Sequence, residues 1–321
     1  MKRILVIAMI LCWGSWSSAR ADIISFGDSL TDSGNFYGFT GVPLAPPNFA
    51  GRASNGPVWV EHMASQLGQP LRNFAFVGSQ TAGNSPYTIP GVTRDITQQA
   101  QFYAANNVAQ PGDIFTVWGG ANDFYFGLTG QTAYTSPAEA VANITNIIET
   151  LADSGAQTFV IPNLPPLGQT PFFLDLQSAD LIFALDMHAA IFNALLGPAL
   201  ADLEASRGIN IHLLDVHGLF QDVLSNPAAF GLTNVTESAT FYDPVSGLGY
   251  ASRPMVDPSN YLFFDSVHPT TNIHALIGAQ AAEMVVPEPA SLAVWTLLGI
   301  TGGGTCWLRR RRDSARQSTV C

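Results

Sequence analysis

Between Asp22 and Val286 the chain alternates short apolar runs with longer helical patterns, and this alternation constrains its fold more than any other feature. The runs Ile23 to Phe26, Leu71 to Ala75, Ile114 to Trp118, Thr158 to Pro162 and Ile211 to Asp215 are rich in β-branched or aromatic residues, which predicts a strand in each. Between them, Val58 to Leu67 reads as a helix. Ser136-Pro137-Ala138-Glu139 supplies an N-cap, a first-turn proline and a capping-box glutamate before Ala140 to Asp153, and Gly155 stops that helix. Ser178 caps a long apolar helix running to about Ser206, with Gly208 as its stop. Strands and helices in this order make βαβ units, so the expected class is α/β, with a mainly parallel central sheet and helices on both faces.

The two ends read as addresses rather than as fold. Residues 1–21 have a basic start (Lys2, Arg3), an apolar stretch from Ile4 to Trp13 and a small-residue end, Ala19-Arg20-Ala21, which together predict a secretory signal peptide. The apolar stretch is shorter than the roughly 20 residues a spanning helix needs, so an uncleaved anchor is the lesser alternative. At the other end, Pro287-Glu288-Pro289 precedes an uncharged segment, Ala290 to Leu308, then Arg309 to Arg312 and a short tail over 313–321, the order expected of a membrane span with a cytoplasmic basic stop. This end resembles the PEP-CTERM sorting signal of Gram-negative exporters. The resemblance implies that an exosortase-type enzyme removes the tail after export. The domain would be membrane-anchored before that step and then held in the periplasm, at the cell surface or outside the cell.

Residues 22–286 fit one domain with a full-sized core. Five arginines and no lysine stand there against 22 Asp and Glu, which argues against a nucleic-acid partner or a basic membrane-binding face. Lys2 is the only lysine of the chain, so the domain has neither a Schiff-base nor a P-loop lysine. The cysteines, Cys12, Cys306 and Cys321, all lie outside the domain, which excludes a cysteine nucleophile, a thiolate metal site and an internal disulfide. No cofactor or metal motif is present.

Chemistry is concentrated where predicted strands end. The first strand runs into Gly27-Asp28-Ser29, placing a serine at the carboxyl end of a strand, where α/β folds hold their sites. Taken alone, these are also the residues of an ordinary turn. Three further segments supply what Ser29 lacks. After the second strand, Gly78 offers a backbone N–H that no Cβ shields. After the third, in Gly119-Gly120-Ala121-Asn122-Asp123, Asn122 offers a side-chain donor for a developing oxyanion. Near the end, Asp265-Ser266-Val267-His268 places a carboxylate three residues from an imidazole, so that Asp265 could orient His268 as the base that takes the proton of Ser29. Ser29, His268 and Asp265, with the N–H groups of Ser29 and Gly78 and the amide of Asn122, make a complete acyl-transfer site.

On these four blocks the chain resembles the GDSL, or SGNH, hydrolases over essentially all of 22–286. The blocks are Phe26-Gly27-Asp28-Ser29-Leu30, Gly78, Gly120-Ala121-Asn122-Asp123 and Asp265-Ser266-Val267-His268. The segments Phe159 to Gly168 and Asp215 to Phe220, and Asn226-Pro227, resemble the branch with plant lipases and lecithinase- or haemolysin-like esterases. The resemblance implies a flavodoxin-like three-layer α/β/α sandwich and an exported lipase or carboxylesterase acting on a small-molecule or lipid ester without a cofactor. The chain departs from many relatives in lacking cysteines downstream of Asn226-Pro227, which leaves open how the loop from Asn234 to Pro258 is pinned.

Alternatives remain at this point. Neither a G-x-S-x-G elbow nor an H-E-x-x-H zinc motif is present. His212, His217 and His274 are nominal rivals of His268, each more simply structural, His188 reads as a packed or surface residue of the long helix, and Asp28 and Asp123 are expected to organise their own turns. Phe36, Tyr37, Phe39, Phe124, Tyr125 and Phe126 fit an acyl groove and a core equally. On the same fold, a carbohydrate O-acetyl esterase and an acyltransferase compete with the lipase reading. A non-catalytic surface or matrix protein competes from outside the enzymes.

Overall fold

The computed structural model describes residues 21–42, 47–92, 94–240 and 256–286. Both predicted sorting segments, apart from Ala21, lie outside the described residues. From the amino end the elements are β1 (Ile23–Gly27), α1 (Asn35–Thr40), α2 (Trp59–Leu67), β2 (Leu71–Asn73), α3 (Ile96–Asn106), β3 (Ile114–Trp118), α4 (Ala121–Leu128) and α5 (Pro137–Asp153). Then come β4 (Thr158–Pro162), α6 (Pro171–Asp175), α7 (Ala179–Arg207), β5 (Asn210–Leu214), α8 (Val216–Ser225), β6 (Asn234–Ser238), β7 (Tyr261–Phe263) and α9 (Thr271–Val285).

Strands β1 to β5 form one parallel sheet in the order β2-β1-β3-β4-β5. Alternate residues of each strand face opposite layers. Ile24, Phe26, Phe115, Val117, Phe159 and Ile161 pack against α3, α5 and α7, and Ile23, Ile114, Trp118 and Val160 pack against α2, α8 and α9. The result is the three-layer α/β/α arrangement expected. The chain moves from β1 outward to β2 and then returns across β1 to β3, so the strand order reverses between β1 and β3. A crevice opens at such a reversal, outside the carboxyl ends of the strands.

Two strands differ from their predicted bounds. Strand β2 stops at Asn73 rather than Ala75, although the Phe74 and Phe76 N–H groups still donate to β1 at Ser25 and Gly27; on its outer edge the Asn35 side chain donates to the carbonyls of Asn73 and Ala75 at 2.9 Å each. Strand β5 starts at Asn210 and ends before Asp215, whose carboxylate instead caps α8 by accepting the Gly218 N–H. The helices over Pro137–Asp153 and Ala179–Arg207 begin on their predicted serine caps. The stretch left open, from Asn234 to Pro258, is held at both ends without a disulfide. Strand β6 pairs in parallel with β7, and the Ala239 and Thr240 N–H groups donate to the carbonyls of Phe263 and Phe264.

Candidate active site

Strand β1 delivers Ser29 through a turn that only glycine permits. A β-carbon on Gly27 would lie 2.6 Å from the Trp118 carbonyl oxygen, so β1 and β3 end in direct backbone contact. The Gln99 side chain, reaching up from α3, clamps Gly27 from both sides, accepting its N–H and donating to its carbonyl at 2.9 Å each. Beyond Gly27, the N–H groups of Thr31 and Asp32 donate to the Asp28 carbonyl and the Leu30 N–H donates to the Asp28 carboxylate. Ser29 sits at the crest of this turn.

Strand β7 delivers the other partner. The loop from Phe264 to His268 is closed at its base by the Phe264 N–H on the His268 carbonyl, 2.8 Å, and by the Thr270 N–H on Leu262. Inside it, Asp265 Oδ1 accepts the N–H groups of Val267 (2.9 Å) and His268 (2.7 Å), while Oδ2 lies 2.7 Å from His268 Nδ1. His268 Nε2 lies 2.7 Å from Ser29 Oγ. The structure therefore joins three of the five site residues read from the sequence into one hydrogen-bonded line, across 239 positions of sequence.

The electrostatics of this line follow from burial and charge together. Burial opposes the charge of Asp265, but the adjacent His268 and the two backbone N–H groups hold its carboxyl below the ordinary range. Burial by itself would lower His268, yet the Asp265 carboxylate, assisted by Asp28, holds the imidazole above its ordinary value. Asp28 is buried next to Ser29, and desolvation pushes its carboxyl up to about 6.

The remaining two residues meet Ser29 through their neighbours. Asn122, in the first turn of α4, donates from Nδ2 to the carbonyl of Ser79 at 3.0 Å, with Asp28 Oδ2 at 3.4 Å. It thus links the residue after Gly78 to the residue before Ser29. Gly78 is held at φ 78°, and a β-carbon there would collide with the Tyr87 ring at 2.6 Å. Among the described residues, neither the Ser29 nor the Gly78 N–H donates a hydrogen bond within the protein.

Several residues that hold these pieces had no role assigned from the sequence. Asp32, fully buried, accepts the N–H groups of Gly34, Asn35 and Phe36 and, across to the second block, that of Val77 at 3.1 Å. Its place in the same polar run as Ser29 was the available signal. Gln99 carried none, being one polar residue within a helix. Asp28 organises its own turn as expected, but Asp123 does not. It reaches over to Thr81, accepting its N–H at 2.9 Å and its hydroxyl at 2.6 Å, and burial pushes its carboxyl up to about 7. Asn163 and Asp215, in the two segments that resemble the plant and lecithinase branch, bond to each other at 2.8 Å and join the end of β4 to α8.

The rival histidines and His188 serve elsewhere. His274 is buried on α9, accepts the Trp59 N–H on Nδ1 and is pushed by burial down to about 3, so it stays neutral. His188 bonds to Tyr134 and the Ala184 carbonyl, His217 lies 3.2 Å from the Leu164 carbonyl, and His212 lies half-buried on the edge strand β5. The six aromatic residues suited to groove or core divide: Phe36, Phe124 and Phe126 are buried, Tyr125 is half-buried against Phe173, and Tyr37 and Phe39 are exposed. Among the described residues, no group of three or more His, Cys, Asp and Glu side chains is arranged to hold a metal ion.

The chain is similar to known proteins over most of its length. It is 27% identical to the phosphatidylcholine-sterol acyltransferase of Aeromonas hydrophila, over 86% of this chain and 93% of that one. It is 29% identical to the thermolabile hemolysin of Vibrio parahaemolyticus serotype O3:K6 (strain RIMD 2210633), over 84% of this chain and 66% of that one. A solved member of the lipolytic protein G-D-S-L family from Veillonella parvula DSM 2008 aligns with a TM-score of 0.44 at 16% identity, over 82% of this chain and 97% of that one. The family model for GDSL-like Lipase/Acylhydrolase matches residues 23–281, from the first residue of β1 into α9. With the match extending across the whole sheet and all four sequence blocks, this chain belongs to the GDSL-like lipases and acylhydrolases, a family of ester-bond hydrolases.

Proposed function

We propose that the protein is a serine carboxylesterase or lipase that works through an acyl-enzyme on Ser29. The observation that supports this most strongly is the line from Ser29 Oγ through His268 to Asp265, with 2.7 Å at each of its two junctions. His268 Nε2 takes the hydroxyl proton as Oγ attacks the ester carbonyl. The oxyanion so formed is met by the N–H groups of Ser29 and Gly78 and by the Asn122 amide. Collapse of the intermediate expels the alcohol, which receives the proton from His268. Water then repeats the cycle on the acyl-enzyme and releases the acid. Asp265 stays ionised throughout and keeps the Nδ1 proton of His268 in place. Hydrolysis of p-nitrophenyl acetate, butyrate and palmitate by the domain and by Ser29→Ala tests the assignment. The variant is expected to lose activity on every ester, and equal rates for the two proteins would refute it.

Transfer of the acyl group to a hydroxyl other than water is a second reading. It is supported by the similarity to the Aeromonas acyltransferase over 93% of that protein's length. Product identification with an added alcohol or sterol separates the two. The proposal also places the domain outside the inner membrane, since a predicted signal peptide precedes it and a predicted sorting segment follows it. The mass of the mature protein recovered from cell fractions tests both cleavages.

A further inference from the structure

The exposed aromatic side chains are distributed unevenly over the molecule. Among the described residues, all but Phe102 lie in segments that follow the carboxyl ends of β1 to β4, up to the first two turns of the next long helix. Among the described residues, the opposite end of the sheet has none. Three of these residues are built onto the site itself. The Tyr87 ring lies against Gly78, Phe39 packs on Phe76 with ring centres 6.1 Å apart, and the Phe172 N–H donates to the carbonyl of Ser266, between Asp265 and His268. Tyr134 and Phe183 extend the same rim onto the start of α5 and of α7.

The rim is also nearly free of available charge. Asp32, Asp95, Asp123 and Asp265 are buried in hydrogen bonds. Arg52 is paired with Glu61, and Arg94 lies 4.1 Å from the centre of the Phe102 ring. Among the described residues, what remains exposed on the rim is acidic, Glu139, Asp175 and Asp180. Single exposed aromatics are ordinary, but several gathered at one end of the sheet mark an interaction surface. Phe and Tyr side chains of this kind settle at the headgroup level of a lipid layer. A rim whose exposed acids outnumber its half-buried Arg94 fits a zwitterionic or uncharged layer and disfavours an anionic one. A second copy seated here would cover Ser29.

We propose that this rim docks the protein onto a zwitterionic lipid surface and holds the mouth of the Ser29 site against it. The proposal rests on the ester-hydrolase reading and adds to it where the substrate is presented. Its test uses Tyr134→Ser and Phe183→Ser, singly and together, at side chains that are 53% and 66% exposed and lie away from the Ser29 site. Binding is measured by flotation with phosphatidylcholine vesicles in a Ser29→Ala background, so that no lipid is consumed. Turnover of monomeric p-nitrophenyl butyrate is measured with Ser29 intact, and thermal melting confirms the fold. The parent is expected to float with the vesicles, each substitution to weaken binding about tenfold and the pair about a hundredfold, from the apolar area each aromatic ring withdraws. Soluble-ester turnover should stay within about twofold, and vesicles rich in phosphatidylglycerol should bind more weakly. A parent that does not float, a double variant that floats as well as the parent, or a concentration-dependent dimer that the two substitutions dissolve would each overturn the proposal. Failure of the hydrolase reading shows separately, as soluble-ester activity that survives Ser29→Ala.

Discussion

Asp265→Asn is the sharpest test of the site, because the geometry dictates which way the new amide must face. Two backbone N–H groups, those of Val267 and His268, point at Oδ1 from 2.9 and 2.7 Å. An asparagine keeps both bonds only with its carbonyl oxygen in that position, since an NH2 group there would meet two donors. The NH2 group then takes the place of Oδ2, 2.7 Å from His268 Nδ1. The NH2 group is the nearer partner of Nδ1, and Oδ1, at 2.9 Å, already accepts two N–H groups, so Nδ1 becomes the acceptor and the imidazole proton moves to Nε2, which faces Ser29 Oγ at 2.7 Å. A base that already carries a proton on that nitrogen cannot take another while neutral. The expected loss in kcat is about 10⁴-fold, the scale of a wrong-tautomer substitution in a serine triad, or roughly 5 kcal/mol of barrier. The pH profile should change as well. Asp265 holds His268 above its ordinary value against the pull of burial, so the parent's activity rises with pH through that raised titration. Without the carboxylate, burial dominates and the acid limb of the residual activity moves to lower pH. Both are read from p-nitrophenyl butyrate hydrolysis between pH 5 and 9, with thermal melting as a control for folding. An Asp265→Asn enzyme within tenfold of the parent, or with an unmoved acid limb, would refute the assignment of Asp265 and His268.

Three further outcomes are expected. Asn122→Ala should lower kcat by roughly 10²–10³-fold through loss of an oxyanion donor, with KM for a short ester little changed, and unchanged turnover would remove Asn122 from the site. Gly27→Ala should destabilise the domain by about 2 kcal/mol or more in urea unfolding, since its β-carbon has no room 2.6 Å from the Trp118 carbonyl. Asp123, raised by burial to about 7, contributes stability that is complete below its unfolded value and is lost as pH rises toward neutrality. Asp123→Asn, with its NH2 group free to donate to Thr81 Oγ1, should flatten that part of the decline in unfolding free energy between pH 4 and 7. A parent and variant with parallel pH curves would contradict this.

The sheet could be read from sequence because its central strands are buried on both faces. Ile23–Gly27 and Ile114–Trp118 are buried at every position and have no solvent face to carry polar residues. The helix caps Ser136 and Ser178 were visible for a different reason, since a cap acts within three residues of itself. What stayed hidden acts over long separations through single polar side chains. Gln99 clamps Gly27 across 72 positions, Asp32 reaches Val77 across 45 and Asp123 reaches Thr81 across 42, and no local pattern announces such pairings. The β6–β7 ribbon was missed because β6 is half-exposed with little apolar content, and β7, although apolar, is only three residues long.

The topology explains why four blocks so far apart converge, and also where it alone is insufficient. Ser29, Gly78 and Asn122 follow β1, β2 and β3, three adjacent strands, so the parallel sheet brings them to one edge automatically. Asp265 and His268 have no such support, because the sheet ends at β5 and the chain leaves it before reaching them. Their position is set instead by the helix that follows. Thr271, the first residue of α9, gives its N–H to Asn55 and its hydroxyl to the Pro57 carbonyl, and Ser54 donates to the carbonyl of Pro269. The same helix packs on α2 so closely that a β-carbon on Gly278 would lie 2.5 Å from the Trp59 carbonyl. Segment 54–57 and α2 are themselves the continuation of the chain beyond Ser29. Ser29 and His268 are thus held in register by a clasp between the two segments that carry them, and the sheet serves as the common floor.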